Sequence, residues 1–231
     1  MEKNQYNLCI EILKRMNNAN VLKDILVIGS WCIPFYSEYF SGVKYLPSIK
    51  TRDIDFLVPM PSKIKATVDI PDLLKDLGFV IGYKGSKGYI KLEHPDLVIE
   101  FLVPEKGRGM DKPYSLPQLG LNAQALRFLN LLAENTILVK IHDIPVMLPH
   151  PANFALHKLI IFQRRKNPEK IQKDKEAAVN ILKALVNKGE TDIIKNVFNS
   201  LLPKWRKKVV KGLENAKEKE LLEIITADYA D

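Results

Sequence analysis

The stretch Thr51-Arg52-Asp53-Ile54-Asp55-Phe56-Leu57-Val58 decides the reading of this chain. Residues 53–58 have the apolar, β-branched character of a strand. Side chains alternate along a strand, so Asp53 and Asp55 project from one face. Two carboxylates aimed together repel unless a cation or a proton sits between them. Working outward, residues 97–103 form a second apolar run, Leu-Val-Ile-Glu-Phe-Leu-Val, with Glu100 at its centre. An acid there is expensive to bury unpaired. Three oxygen-donor acids on neighbouring strands would suit a hard divalent cation, magnesium or manganese. The competing reading pairs Asp53 with Arg52 or Lys50 and turns Glu100 to solvent.

Upstream, the short apolar strand of residues 24–28 runs into Gly29-Ser30, and a helix is expected over 31–41 with Ser30 as its N-cap. A glycine lets backbone approach a phosphate, a helix start offers N–H donors, and a serine hydroxyl can donate to a phosphate oxygen. Alone this pattern is usually just a cap. Followed by Asp-x-Asp and a later strand acid, it becomes specific.

In that order, the motifs resemble the DNA polymerase β nucleotidyltransferase superfamily, and within it the AbiE-type toxin nucleotidyltransferases. The segments that carry the resemblance are VIGSWCIPFYSEYF, TRDIDFLVP, LVIEFLVPEKGRG, ALRFLNLL, PHPANFALHKLIIFQRR and KIQKDKEAAVNIL, spanning about residues 27–182. The resemblance implies an α/β (α+β) fold, a mixed sheet flanked by helices with a C-terminal helical domain. It implies Gly29 and Ser30 at a triphosphate, and Asp53, Asp55 and Glu100 as metal ligands. It also implies Lys158, in His157-Lys158-Leu159, and Asp174 as nucleotide-binding residues, with Lys158 counted among the catalytic ones. Many small members place Asp-x-Asp about ten residues after Gly-Ser, whereas here it follows Ser30 by 23 residues, so residues 41–51 are expected to loop out. Read from the residues alone, Lys158 is a solvated helix lysine and Asp174 pairs with Lys170 one turn away.

The implied chemistry is metal-dependent transfer of a nucleoside monophosphate from a nucleoside triphosphate to a hydroxyl, with RNA or tRNA as a candidate acceptor and a toxin or defence role by family analogy. Two alternatives stand beside it. One is a non-catalytic nucleic-acid-binding module on the same fold. The other is a small-molecule modifier like the aminoglycoside nucleotidyltransferases. An antitoxin-like protein partner is left unidentified.

Composition frames these readings. The chain has 231 residues, 46% of them hydrophobic, enough for one large or two small domains. No apolar run approaches the ~18 residues of a membrane span, and the N-terminal stretch lacks a signal-peptide core. Cys9 and Cys32 make neither a disulfide scaffold nor a zinc ribbon, so a reduced, cytoplasmic protein is expected. The net charge of +8 is uneven: residues 150–231 hold 17 Lys+Arg against 11 Asp+Glu, while residues 1–149 hold 18 against 16. A boundary is placed between a nucleotidyltransferase domain at 1–149 and a helical domain at 150–231, where Pro149 and Pro151 interrupt regular structure.

Further elements are expected as helices at 4–18, 72–77, 122–135, 152–165, 168–188, 191–200 and 204–224. Strands are expected at 79–83 and 89–93, with a hairpin of 136–141 and 146–148. The glycine-rich, basic residues 82–88 lack the Gly-Lys-Ser/Thr of a P-loop and read as a hairpin turn. None of the four histidines has zinc-site spacing. Two basic clusters, Arg164-Arg165-Lys166 and Lys204, Arg206, Lys207, Lys208, Lys211, read equally as solvated faces or as polyanion contacts, and Trp205 as core or as a stacking platform.

Overall fold

A computed structural model describes residues 3–45, 47, 51–107 and 112–227. The chain divides into two compact units: Met1–Phe35 with Pro47–Pro149, and Tyr36–Leu46 with His150–Asp231. Among the described residues no helix is long and apolar enough to cross a membrane. Residues 46 and 48–50 of the expected loop, with Lys50 as a partner for Asp53, and Arg108 and Gly109 of the third family segment lie outside the described residues.

The first unit is built on a mixed sheet. Strands β1 (Leu26–Ile28), β2 (Asp53–Leu57), β3 (Val80–Lys84), β4 (Tyr89–Glu93) and β5 (Val98–Pro104) lie in the order β1-β2-β5-β4-β3. β2 and β5 are parallel, and the other pairs along this path are antiparallel. β6 (Tyr114–Leu116) pairs with β7 (Leu121–Leu126), and β7 runs parallel to the second half of β5. A separate hairpin, β8 (Thr136–Ile141) and β9 (Ile144–Pro149), turns through His142 and Asp143, both at positive φ.

Period-two alternation divides the sheet into unlike faces. One face buries Val27, Ile54, Phe56, Leu92, Ile99 and Phe101. The rings of Phe56 and Phe101, opposite each other in register, stack with centroids 5.4 Å apart. Burying such side chains contributes roughly 1.5–3 kcal/mol each, which fixes the register. The other face is itself divided. At one end Leu26, Ile28, Leu57 and Leu102 pack beneath Leu129 and Leu132 of the short helix α4 (Leu129–Ala133). At the other end the same strands carry Asp53, Asp55 and Glu100.

Helix α1 (Lys3–Asn18) buries Cys9, Ile12, Leu13 and Met16, an i, i+3, i+4, i+7 stripe. Helix α2 (Cys32–Tyr39) begins after a 3-10 turn at Gly29–Trp31. Ser30 therefore lies inside that turn and does not act as the predicted N-cap. Helix α3 (Ile70–Leu74) starts earlier than expected because Asp69 caps it, accepting from the Asp72 N–H at 2.9 Å. The helix predicted over 122–135 is strand over 122–126 and helix only over 129–133. Asn122 accepts from the Ile90 N–H and donates to the Gly88 carbonyl, a cross-strand clamp that a helix would forfeit.

The second unit is helical, with α5 (Pro151–Ile161), α6 (Pro168–Asn187), α7 (Thr191–Ser200), α8 (Pro203–Ala216) and α9 (Lys219–Thr226). The single helix expected over 204–224 is two, because Lys217 adopts a left-handed conformation at the end of α8.

Candidate active site

Strand register brings the predicted acids together on one face. In the parallel β2–β5 pair, Asp55 lies opposite Glu100 and Asp53 opposite Val98. Across the antiparallel β5–β4 pair, Glu100 faces Lys91 and Val98 faces Glu93, and Val80 of β3 follows Glu93. One row thus reads Ile28, Asp55, Glu100, Lys91, Gly82, and the next Asp53, Val98, Glu93, Val80. The second row floors a groove of about 630 Å³, rimmed by Arg52 and His94. Of the three predicted acids only Asp53 lines it.

Gly29 closes the acid row at the β1 end. Its φ of 73° is left-handed, and a Cβ built there would run into the Asp55 Oδ2. Glycine is thus required twice, by backbone conformation and by the close carboxylate.

The face is not purely acidic. The Lys84 ammonium donates to the Glu100 Oε2 at 2.7 Å, and Lys91 pairs with Glu93 at 2.5 Å. The Lys91 pKa is raised, first by its bond to Glu93 and further by the fields of Glu100 and Asp53. Among the described residues no three His, Cys, Asp or Glu side chains gather into a metal cage. The donor set nonetheless fits a hard divalent cation in kind: carboxylate oxygens on one face, with Glu100 held by a half-exposed lysine instead of a fixed partner.

Lys158 and Asp174 belong to the second unit. The Lys158 ammonium donates to Asp174 Oδ1 at 2.5 Å, and Arg165 Nε donates to Asp174 Oδ2 at 3.1 Å. Lys158 is 5% exposed, so it is not the solvated helix lysine of the simpler reading, and Asp174 bonds these two cations and not Lys170 as that reading expected. Burial would raise the Asp174 pKa, but Lys158 and Arg165 hold it below the ordinary value. Neighbouring His157 is buried, its Nε2 has no hydrogen-bond partner among the described residues, and burial with the Lys158 charge lowers its pKa to about 3.

With this geometry in place, the family can be read directly. A family model described as nucleotidyltransferase matches residues 7–202. The chain belongs to that nucleotidyltransferase family. A structure of an antigenic nucleotidyltransferase-like protein from Paracoccidioides brasiliensis superposes with a TM-score of 0.52 at 14% identity, over 95% of this chain and 92% of that one. That likeness shows a common fold. A crystal structure of ANT(2'')-Ia in complex with adenylyl-2''-tobramycin gives a TM-score of 0.48 at 16% identity, over 81% of this chain and 96% of that one. A comparison with curated proteins found no match.

Seen as a nucleotidyltransferase, the chain has residues on its acid face that sequence reasoning passed over. Lys84 falls in the expected hairpin turn because glycines 82, 85 and 88 dominate that stretch. The usable signal was the alternation of Gly82 and Lys84, which places both on the face of the acids once β3 is a strand. Lys91 and Glu93 alternate in the same way along β4. The Arg165 contact to Asp174 carries no local signal, since it depends on how the turn after α5 meets α6.

Proposed function

We propose that this nucleotidyltransferase moves a nucleoside monophosphate from a nucleoside triphosphate to a hydroxyl of RNA, tRNA included, and that Asp53, Asp55 and Glu100 hold magnesium or manganese. The in-register Asp55–Glu100 pair beside Gly29 carries the reading. A divalent ion bound there would neutralise phosphate charge and favour the deprotonated acceptor oxygen. The chain's own residues supply the rest. The backbone at Gly29 approaches the triphosphate, and the Ser30 hydroxyl donates to a phosphate oxygen. Glu100 accepts the proton of the attacking hydroxyl. That oxygen forms a bond to the α-phosphorus as the bond to pyrophosphate breaks, and pyrophosphate leaves. Lys158 and Asp174 enter as nucleotide-binding residues on the family resemblance. A toxin role, with an antitoxin as partner, rests on the AbiE-type resemblance and predicts growth arrest on expression.

The test is incubation with each labelled triphosphate, magnesium, and either tRNA or an aminoglycoside as acceptor. Transfer to tRNA by the wild type, lost in Asp53→Ala/Asp55→Ala, is expected. Equal transfer by that variant removes the proposal, and transfer confined to the aminoglycoside replaces RNA with a small-molecule acceptor.

A further inference from the structure

The second unit brings together two basic clusters that lie 38 residues apart in sequence, Lys166 to Lys204. Gln163 sits in the turn after α5, and its side-chain amide donates to the Lys208 carbonyl of α8 and to the Leu159 carbonyl, both at 2.6 Å. Gly212 makes this approach possible. A Cβ there would lie 2.9 Å from the Leu159 carbonyl oxygen and 3.2 Å from the Gln163 amide nitrogen. Arg164, Arg165 and Lys166, all exposed, follow Gln163 directly in sequence.

The two faces of α8 are unlike. Val209, Gly212 and Leu213 are buried, with Trp205 half-buried, so the tryptophan belongs to the packed side. Lys204, Lys207, Lys208 and Lys211 fall at i, i+3, i+4 and i+7, one face about 10 Å long. Lys204, Lys207 and Lys211 are exposed. The first turn contains no acid, and its lysine and arginine sit where the helix dipole is already positive. That placement works against the helix, whereas it concentrates positive potential at one end of it. Glu214, in the last turn, is the first acid along the helix.

We infer that the outward face of α8, with Lys166, is a surface that binds the phosphate backbone of RNA. The choice of RNA over another polyanion rests on the proposed acceptor, but binding is measurable without catalysis. Phosphate contacts of this kind are sequence-tolerant and salt-dependent.

The experiment uses the full-length chain carrying Asp53→Ala/Asp55→Ala, in EDTA without nucleotide, so failure of transfer chemistry cannot mask the result. Anisotropy of a fluorescein-labelled RNA hairpin is followed from about 50 to about 200 mM salt. Binding is expected to weaken steeply with salt. Lys204→Glu/Lys207→Glu/Lys211→Glu should weaken it by at least about tenfold and flatten the log–log salt slope by about two. Glutamate in the first turn suits the helix dipole, and circular dichroism checks that the fold is kept. The neutral Lys→Gln triple should show a smaller loss in the same direction. The matched control is Lys14→Glu/Lys23→Glu/Lys63→Glu, which makes the same charge change at exposed positions of the other unit and should lose less than about threefold. Equal losses in the two charge-reversal triples, or no RNA binding by the parent, overturn the inference. Competition by poly-glutamate as effective as by RNA overturns it in favour of an acidic protein partner.

Discussion

Each unit of this nucleotidyltransferase holds a lysine against a carboxylate, in opposite settings. Lys158 and Asp174 expose 6% and 8% of their side chains, and Arg165 adds a second cation. Lys84 and Glu100 expose 48% and 17%. A buried pair has surrendered its hydration, so neither partner can leave cheaply. A half-exposed pair has water as an alternative and exchanges partners at little cost. The enclosed pair is thus costly to separate, and a ligand at Glu100 would have to compete with the open one.

Breaking the enclosed pair should have the largest effect. Lys158→Met leaves Asp174 buried with Arg165 alone and should destabilise by about 3–5 kcal/mol in urea unfolding. Lys158→Met/Asp174→Leu should recover much of that loss. If the double variant is as unstable as the single one, the burial argument is wrong.

The next effect is a pH dependence set by His157, the neighbour of the enclosed pair. His157 has a folded pKa of about 3 against an unfolded value of 6.5. Between those values the unfolded chain binds a proton that the folded chain refuses. Stability is therefore highest above pH 6.5 and falls as pH drops toward 3. The slope from this residue alone is about 1.4 kcal/mol per pH unit. His150, whose Nδ1 caps α5 by accepting from the Ala152 N–H, also has a pKa lowered by burial and adds in the same direction. His157→Gln should remove its share of the slope in unfolding curves taken at pH 6 and pH 5 and leave that of His150. An unchanged slope would mean that His157 is protonated in the fold.

Gly29→Ala tests the open site without touching a charge. The left-handed conformation costs an alanine about 1–2 kcal/mol, and the methyl group must displace the Asp55 carboxylate. A modest drop in thermal stability with a much larger loss of transfer is expected. Retained transfer would detach Gly29 from the reaction.

The sheet and its acids were legible because both rest on period two. Asp53, Asp55 and Glu100 stand out against apolar neighbours, and parallel pairing sets Asp55 against Glu100. Other features were hidden because tertiary contacts decide them. Residues 121–126 carry helix-compatible Ala, Gln and Leu, yet pairing to β6 and then β5 makes them strand. Lys158 reads as surface on a helix, but α5 is enclosed almost all round, with Pro151 through Ile160 buried. The Lys84–Glu100 bond spans 16 residues and crosses from β3 over β4 to β5, so a turn-centred reading of the glycines misses it.

The smallest stability effect should come from Lys84→Met, and it discriminates most sharply between the two pairs. Removing a half-exposed partner should cost less than about 1 kcal/mol, because water replaces the ammonium at Glu100. If Lys84 occupies the position a divalent ion must take, its removal lets the ion bind without displacing a charge. The magnesium concentration giving half-maximal transfer should then fall, with thermal stability almost unchanged. A rise in that concentration would show Lys84 acting on the substrate side instead, for instance on phosphate. A loss of several kcal/mol would erase the contrast with Lys158, since the open pair would then be as fixed as the enclosed one.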